Sequence, residues 1–222
     1  MGRKTTLKSA DGFTLGAYEA RPAGKPKGAV VVIQEIFGVN SHIREVCDGY
    51  AKDGYVALAP QIFDRIERDV ELGYGPDDMT RGIGLARGKL KMDQTLADIQ
   101  AAIDAAAKDG KVATVGYCFG GLLAWLSACE LKGVACSSSY YGGGVAGEAN
   151  RKPKCPVIMH FGEKDAHISM SDVEKVKKAQ AGVQVYVYAA DHGFNCDHRA
   201  SYDAKAAALA KERTLAFFAK NV

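Results

Sequence analysis

Short apolar runs alternate with segments of helical periodicity along most of this chain, and that alternation limits the folds available to it. AVVVIQ at 29–34 and KVATVGY at 111–117 are rich in β-branched residues and too short for core helices. They are therefore predicted to be strands buried on both faces. Apolar residues recur on one face of a helix predicted over 93–108. The alternation predicts an α/β fold, a mostly parallel sheet with helices on both faces.

Two regions depart from this alternation. Residues 4–20 place Asp11-Gly12, a strong two-residue turn signal, between strand-like runs, which predicts an N-terminal β-hairpin. Residues 61–91 have weak periodicity and five glycines, which predicts an irregular excursion. The 222 residues can bury one sizeable core, and no repeat or linker divides them, so residues 1–222 are expected to form a single domain.

Two helix starts carry capping signals. Ser41, with Glu45 near the capping-box position, predicts the start of a helix over roughly 42–52. Ser171 and Glu174 form a capping box that opens the segment SDVEKVKKAQ.

Composition argues against several classes of partner. The net charge of +3, without a Lys/Arg block, is too mild for nucleic acid or an anionic membrane. The opening MGRKTTLKSADGF lacks the apolar core of a secretory signal, and no apolar run could span a bilayer, so a cytoplasmic location is expected. None of the six cysteines forms CxxC, and HExxH is absent, so no metal or cofactor is expected. The expected partner is a small molecule, and the expected state is a monomer or weak homo-oligomer.

The segment Gly116-Tyr117-Cys118-Phe119-Gly120 matches the nucleophile elbow, with Cys in place of Ser, between a predicted strand and a predicted helix. Such a turn exposes the nucleophile at the top of the sheet. The helix N-terminus favours the thiolate, and the Phe119 amide can bind an oxyanion. The alternative is a glycine-rich turn that holds an inert, buried cysteine.

Two further residues complete a catalytic constellation in the order nucleophile, acid, base. Asp165 follows the strand VIMHFG, and His192 follows the strand VQVYVYA, so both lie at predicted carboxyl ends of strands. His192 would hold or accept the thiol proton, and Asp165 would fix the imidazole tautomer. The alternatives are Glu163 and Asp191 for the acid, and His160, His167 and His198 for the base.

Glu35 directly follows a fully apolar strand, where the first βα loop should approach the nucleophile. It is either a solvated loop carboxylate or a partly buried one that exchanges a proton with the Cys118 thiol. The amide of Ile36 would be the second oxyanion donor.

These residues make the chain resemble the dienelactone hydrolases (carboxymethylenebutenolidases) of the α/β-hydrolase superfamily. The resemblance covers nearly the whole chain. The most specific matches are QEIFGVN at 34–40, GYCFGG at 116–121, YYG at 140–142, GEKD at 162–165 and DHGF at 191–194. It implies the α/β-hydrolase fold, with Cys118, Asp165 and His192 as nucleophile, acid and base.

The resemblance also implies a mechanism for opening a dienelactone to maleylacetate. Glu35 contacts the thiol in the resting enzyme, is displaced by substrate and takes the thiol proton. The thiolate then attacks the lactone carbonyl, which gives an enolate leaving group and an acyl-enzyme thioester. His192 activates the water that releases the product, and the amides of Ile36 and Phe119 form the oxyanion hole.

Substrate recognition is where the chain departs from the best-known members, which bind a carboxylate with two arginines. Phe37 and Tyr140 match pocket-lining positions. Cys196 stands four residues after His192, where those members have one arginine, and Arg199 lies three residues further on. Candidates for the other arginine are Arg81 and Arg87. Gly193 also replaces a hydroxyl residue, so a small ester, thioester or lactone is as compatible a substrate as dienelactone.

Two hypotheses from other functional classes stay open. One is a non-catalytic α/β-hydrolase-fold binding protein, which the complete set of Cys118, Asp165 and His192 argues against. The other is a thiol redox protein that uses Cys118, with Cys196 as a partner that could approach it in space.

Overall fold

A computed structural model describes residues 2–222, and one eight-stranded sheet forms their centre. The strands are β1 Arg3–Lys8, β2 Thr14–Ala20, β3 Ala29–Ile33, β4 Val56–Pro60, β5 Val112–Tyr117, β6 Val134–Tyr140, β7 Val157–Gly162 and β8 Gln184–Tyr188. The helices are α1 Ser41–Lys52, α2 Pro76–Ile83, α3 Met92–Ala106, α4 Phe119–Glu130, α5 Met170–Ala179 and α6 Ala204–Asn221.

The strand order is β1-β2-β4-β3-β5-β6-β7-β8. β1 and β2 run antiparallel to each other, β2 runs antiparallel to β4, and every other pair is parallel. Every residue of β3, β4, β5 and β7 is buried, which is the burial expected of strands covered on both faces. The predicted α/β fold and its N-terminal hairpin are therefore confirmed.

Successive residues of β6 show how both faces of the sheet are covered. The Ser139 hydroxyl donates to the carbonyl of Gly121 in α4, at 2.9 Å. The next residue, Tyr140, points to the other face, where its hydroxyl lies 2.7 Å from Thr214 Oγ1 in α6. Because side chains alternate across a strand, these two contacts place α4 and α6 on opposite faces.

The hairpin turn is longer than predicted. β1 ends at Lys8 and β2 begins at Thr14, so the connection has five residues rather than two. It is closed by the Ser9 amide, which donates to the Phe13 carbonyl at 2.8 Å. Asp11 accepts from the Phe13 amide at 3.1 Å, a local bond that favours a turn over an extended strand.

The excursion over 61–91 is more regular than predicted. Pro76 at the first turn of α2 supplies a φ suited to a helix start, and a π-helical segment Gly84–Lys89 follows. The Leu72 amide donates to the Phe37 carbonyl at 2.9 Å, which fixes this region against the loop after β3. The excursion thereby forms one wall of the region around Glu35.

Both predicted capping residues are off by one or two positions. Asn40, not Ser41, caps α1 by accepting from the Ile43 amide, and Ser169, not Ser171, caps α5 by accepting from the Asp172 amide. Each of these side chains is an equally good cap, so composition alone does not select among neighbours. No helix within residues 2–222 combines the length and apolar character that a membrane span requires.

Candidate active site

Cys118 occupies the sharp corner between β5 and α4. Its φ of 55° is in the left-handed region, which costs a non-glycine residue about 1–3 kcal/mol and recurs at functional sites. The Cys118 amide donates to the Tyr140 carbonyl at 3.0 Å, which ties the corner to β6. A Cβ at Gly116 would lie 1.8 Å from the Gly120 carbonyl oxygen, so this crossing of strand and helix requires glycine. The thiol is thus held half-buried at the start of α4.

Asp165 and His192 meet at the ends of β7 and β8. Asp165 Oδ2 lies 2.7 Å from His192 Nδ1. The other oxygen, Oδ1, accepts from the amides of His167 and Ile168 at 2.8 and 3.1 Å. With both oxygens occupied and the side chain buried, the carboxylate is fixed in place and selects the tautomer that leaves Nε2 free.

The charge state of His192 follows from these neighbours. Burial alone lowers the pKa of His192, but hydrogen bonds to Asp165 and Cys118, with the attraction of their charges, raise it to about 10. The hydrogen bond to Asp165 therefore helps keep the His192 ring protonated, and positively charged, at neutral pH.

Glu35 lies fully buried in the loop after β3. Its Oε2 accepts from the Tyr74 hydroxyl at 3.0 Å, and its Oε1 lies 3.8 Å from Arg199 Nη1. Burial and the charge of Glu35 both raise the pKa of Tyr74, so its hydroxyl stays protonated and donates. No hydrogen bond joins Glu35 to Cys118 within residues 2–222, where Oε1 has no hydrogen-bond partner. The Tyr74 contact was missed from the sequence because the segment before α2 has no periodicity.

Arg199 reaches this region because of Gly193. The guanidinium lies 5.7 Å from the Tyr74 ring centroid and 6.0 Å from that of Phe37, which is itself buried against Tyr74. Gly193 has a φ of 78°, and a Cβ there would lie 2.6 Å from Arg199 Nη1. The two departures noted in the sequence are thus linked, since the absence of a side chain at Gly193 leaves room for Arg199.

Two expected oxyanion donors lie on either side of the corner. Phe119 is the first residue of α4, so its amide has no acceptor within the helix. Ile36 follows Glu35 in the loop after β3. Neither amide donates a hydrogen bond to another group in residues 2–222.

Tyr140, the residue expected to line the pocket, is fully buried, and its hydroxyl lies 2.7 Å from Thr214 Oγ1 on the α6 face. Tyr141, one residue later, is also fully buried and has its ring 5.1 Å from the His192 ring. The Tyr141 hydroxyl has no hydrogen-bond partner within the described chain. Tyr141 therefore packs directly against the candidate base.

The two arginines of the excursion are placed differently from Arg199. Arg81 is exposed and forms an ion pair with Glu67 at the surface. Arg87 is exposed on the π-helical segment. Neither contacts Glu35, Cys118 or His192 among the bonds and ion pairs of residues 2–222.

None of the alternative acids and bases takes part in the hydrogen bond between a carboxylate and an imidazole that joins Asp165 to His192 within residues 2–222. Glu163 and Asp191 are exposed, and Asp191 accepts the His192 amide at 2.6 Å rather than its ring. His160 is buried between Tyr188 and Thr214, and burial lowers its pKa to about 3. The His198 ring bonds to Glu45. His167 packs its ring 5.1 Å from that of His192.

Comparisons with known proteins agree on one family. The model of the dienelactone hydrolase family matches residues 15–222. A carboxymethylenebutenolidase of Pseudomonas putida is 34% identical over 225 residues, which cover 96% of this chain and 94% of that protein. A candidate carboxymethylenebutenolidase of Synechocystis sp. is 37% identical over 243 residues, which cover 97% and 96%.

A solved structure shows the same architecture. The crystal structure of a candidate dienelactone hydrolase from Klebsiella pneumoniae matches this chain with a TM-score of 0.87 and 32% identity. The match covers 99% of this chain and 98% of that one.

Proposed function

Because the chain belongs to the dienelactone hydrolase family and is a carboxylic ester hydrolase of the α/β-hydrolase fold, we propose that it opens small lactones and esters by attack of the Cys118 thiolate. The observation that carries this proposal is the strained Cys118 corner beside an imidazole that Asp165 holds at 2.7 Å. Because the pKa of His192 is raised to about 10, its ring is positively charged at neutral pH and can pair with a thiolate.

Acylation begins when an approaching substrate lets Glu35 take the Cys118 thiol proton, which leaves a thiolate beside the protonated His192. The Cys118 Sγ attacks the carbonyl carbon, and the developing oxyanion accepts hydrogen bonds from the amides of Ile36 and Phe119. The ring C–O bond then breaks, and the protonated His192 gives its proton to the leaving oxygen. The products of this half-reaction are a thioester on Cys118 and a neutral imidazole.

Deacylation uses the imidazole as a base. His192 takes a proton from water, and the hydroxide attacks the thioester carbonyl. The C–S bond breaks, which restores the thiolate and the imidazolium and releases the carboxylic acid product. The thiolate then takes its proton back from Glu35. Asp165 supports both half-reactions because its hydrogen bond holds the ring in a single orientation.

Glu35 is proposed to exchange a proton with Cys118. Glu35 is fully buried directly before Ile36, and its Oε1 has no hydrogen-bond partner in residues 2–222. A carboxylate with a free acceptor atom can receive the thiol proton once a substrate approaches. The other oxygen, Oε2, accepts a hydrogen bond from the Tyr74 hydroxyl at 3.0 Å, and Arg199 Nη1 lies 3.8 Å from Oε1.

Arg199 is proposed as the group that recognises a substrate carboxylate. Its side chain is largely buried. Within residues 2–222 its one ion-pair partner is Glu35 at 3.8 Å, a distance that leaves most guanidinium donors free. Arg81 forms an ion pair with Glu67 on the surface. An anionic lactone such as dienelactone would therefore be bound by one arginine in this chain.

The experiment that tests the function compares hydrolysis of a dienelactone and a neutral aryl ester by the wild type and Cys118→Ala. We expect Cys118→Ala to lose at least ~10⁴-fold in turnover of both, since it lacks the nucleophile. Acid-quenched wild type should gain the mass of the acyl group on the Cys118 peptide, and hydroxylamine should remove it. Cys155→Ala, which removes another half-buried thiol, is the matched control.

The outcomes separate the rival readings. Undiminished turnover by Cys118→Ala would exclude the thiolate mechanism. A wild type that binds both substrates but hydrolyses neither would indicate a binding protein. A thiol-dependent change in mass that reductant reverses, without acylation, would indicate redox chemistry.

A further inference from the structure

Glu35 also belongs to a second cluster of reactive side chains. One ligand atom each of Glu35, His42 and Cys196 lies within 4.8 Å of the other two, and all three residues are buried. They come from three separate segments: the loop after β3, the first turn of α1 and the loop before α6. The cluster offers a carboxylate oxygen, an imidazole nitrogen and a sulfur, which are the three ligand types of protein zinc sites.

Three polar atoms of this cluster have no hydrogen-bond partner among residues 2–222. His42 is 2% exposed, yet neither ring nitrogen has a hydrogen-bond partner in residues 2–222, and the same holds for Glu35 Oε1. Buried polar groups normally have partners, so an imidazole with two free nitrogens needs an explanation. A ligand bound by these atoms would provide one.

The surroundings of His42 suit a metal ligand. Asp197 Oδ1 lies 3.4 Å from His42 Nδ1, on the side where ligating histidines usually meet a carboxylate. That partner would leave Nε2 to bind the ion. His42 also lines a cavity of 310 Å³ between α1 and α6, together with Asp197 and Tyr202.

We propose that Glu35, His42 and Cys196 bind one Zn²⁺. Thiolate and imidazole ligands favour zinc over magnesium or calcium, and three protein ligands leave a fourth position for water or another donor. Binding forms a Zn–S bond and releases the Cys196 thiol proton to solvent, while His42 binds as the neutral ring and Glu35 as the carboxylate.

The site would inhibit the hydrolase, a consequence that rests on the proton exchange proposed for Glu35. A carboxylate that coordinates zinc cannot take the Cys118 proton, so a bound ion would remove the proton acceptor proposed for the thiol. The metal thereby acts on catalysis without touching Cys118 or His192.

Binding is tested on the Cys118→Ala protein, which removes the catalytic thiol as a competing ligand. Co²⁺ is the probe, because a cysteine ligand gives a sulfur-to-cobalt charge-transfer band that Zn²⁺ abolishes by displacement. We expect the band in Cys118→Ala and in the further variant Cys155→Ser, and its loss on adding Cys196→Ser or His42→Asn. Asp197→Asn should weaken Zn²⁺ binding by about 10–100-fold in calorimetry.

The site is excluded if Co²⁺ gives no charge-transfer band, or if the band survives Cys196→Ser. Circular dichroism checks the fold of each variant, and His42→Gln and Cys196→Ala serve where the first substitutions do not fold. Inhibition is tested separately, with Zn²⁺ added to the wild type and to His42→Asn. We expect only the wild type to lose activity. Equal inhibition of both would place the inhibitory ion on Cys118, and a bound ion without inhibition would refute the role given to Glu35 while leaving the site in place.

Discussion

The two sides of the active site differ in how their buried polar groups are paired. On one side, Asp165 accepts hydrogen bonds from two amides and the His192 ring. On the other, Glu35 Oε1 has no hydrogen-bond partner in residues 2–222, and Arg199 is 3.8 Å away. An unpaired buried acceptor costs about 1–3 kcal/mol. The first side is therefore preorganised for one geometry, whereas the second keeps binding capacity for a proton, a substrate or an ion.

The largest effect should come from breaking the preorganised side. Asp165→Asn removes the acceptor that fixes the His192 tautomer, and we expect kcat to fall roughly 10³–10⁴-fold. Hydrogen bonds to Asp165 and Cys118 help raise the pKa of His192 to about 10, so wild-type acylation should decline as pH rises through about 10. In the variant this decline should move to lower pH, because the imidazolium loses its carboxylate. Stopped-flow acylation across the pH range measures both effects.

Asp191→Asn is the matched control for this substitution. Asp191 is adjacent to His192 in sequence, but it accepts only the backbone amide, at 2.6 Å. It should therefore keep both the rate and the pH profile. A loss in Asp191→Asn as large as that in Asp165→Asn would mean that Asp191 is the acid.

The contrast between the two sides also marks how far the sequence could predict the site. Asp165 and His192 were located from the rule that functional groups follow the carboxyl ends of parallel strands, and the structure brings their side chains together. Tyr140 was named as a pocket residue from the family resemblance, whereas no sequence pattern signalled Tyr141, which takes a φ of 37° and packs its ring 5.1 Å from that of His192.

The Glu35 side was the less predictable one for a different physical reason. Its groups come from three segments without a shared motif, and their proximity depends on the docking of α1, the excursion and the loop before α6. Spacing rules for metal sites describe ligands that lie close in sequence, so the absence of CxxC and HExxH carried no information about His42 and Cys196. The link between Gly193 and Arg199 likewise appears only in three dimensions.

A smaller effect is expected from the unpaired side. Glu35→Gln keeps the volume of the side chain but cannot accept a proton, so acylation should slow about 10²-fold. Alkylation of Cys118 by iodoacetamide across the pH range reports whether the thiol ionises less readily. Glu163→Gln, at an exposed position in the chain, is the control. A normal acylation rate in Glu35→Gln would show that His192 alone activates the thiol.

Arg199→Met sharpens the comparison by separating charge recognition from chemistry. We expect kcat/KM for dienelactone to fall about 30-fold or more, since a buried cation is lost opposite the substrate carboxylate, while the neutral aryl ester is nearly unaffected. Arg81→Met should leave both substrates unchanged, because Arg81 pairs with Glu67 on the surface. Equal losses on both substrates in Arg199→Met would assign Arg199 to the support of Glu35 rather than to recognition.

The smallest effect should come from Gly193→Ser, which restores the hydroxyl residue of the best-known members. A side chain at a φ of 78° costs about 1–2 kcal/mol, and its Cβ would lie 2.6 Å from Arg199 Nη1. The guanidinium is the flexible end of its side chain, so it can move, and the fold should survive. We expect urea unfolding to show that loss of stability. We also expect the ratio of kcat/KM for dienelactone to that for the neutral ester to fall, but by less than in Arg199→Met. Gly143→Ser, where a Cβ meets no atom within 4 Å, is the control. A loss of stability without any change in preference would separate Gly193 from the placement of Arg199 and leave the arginine's position to Glu35 and Tyr74 alone.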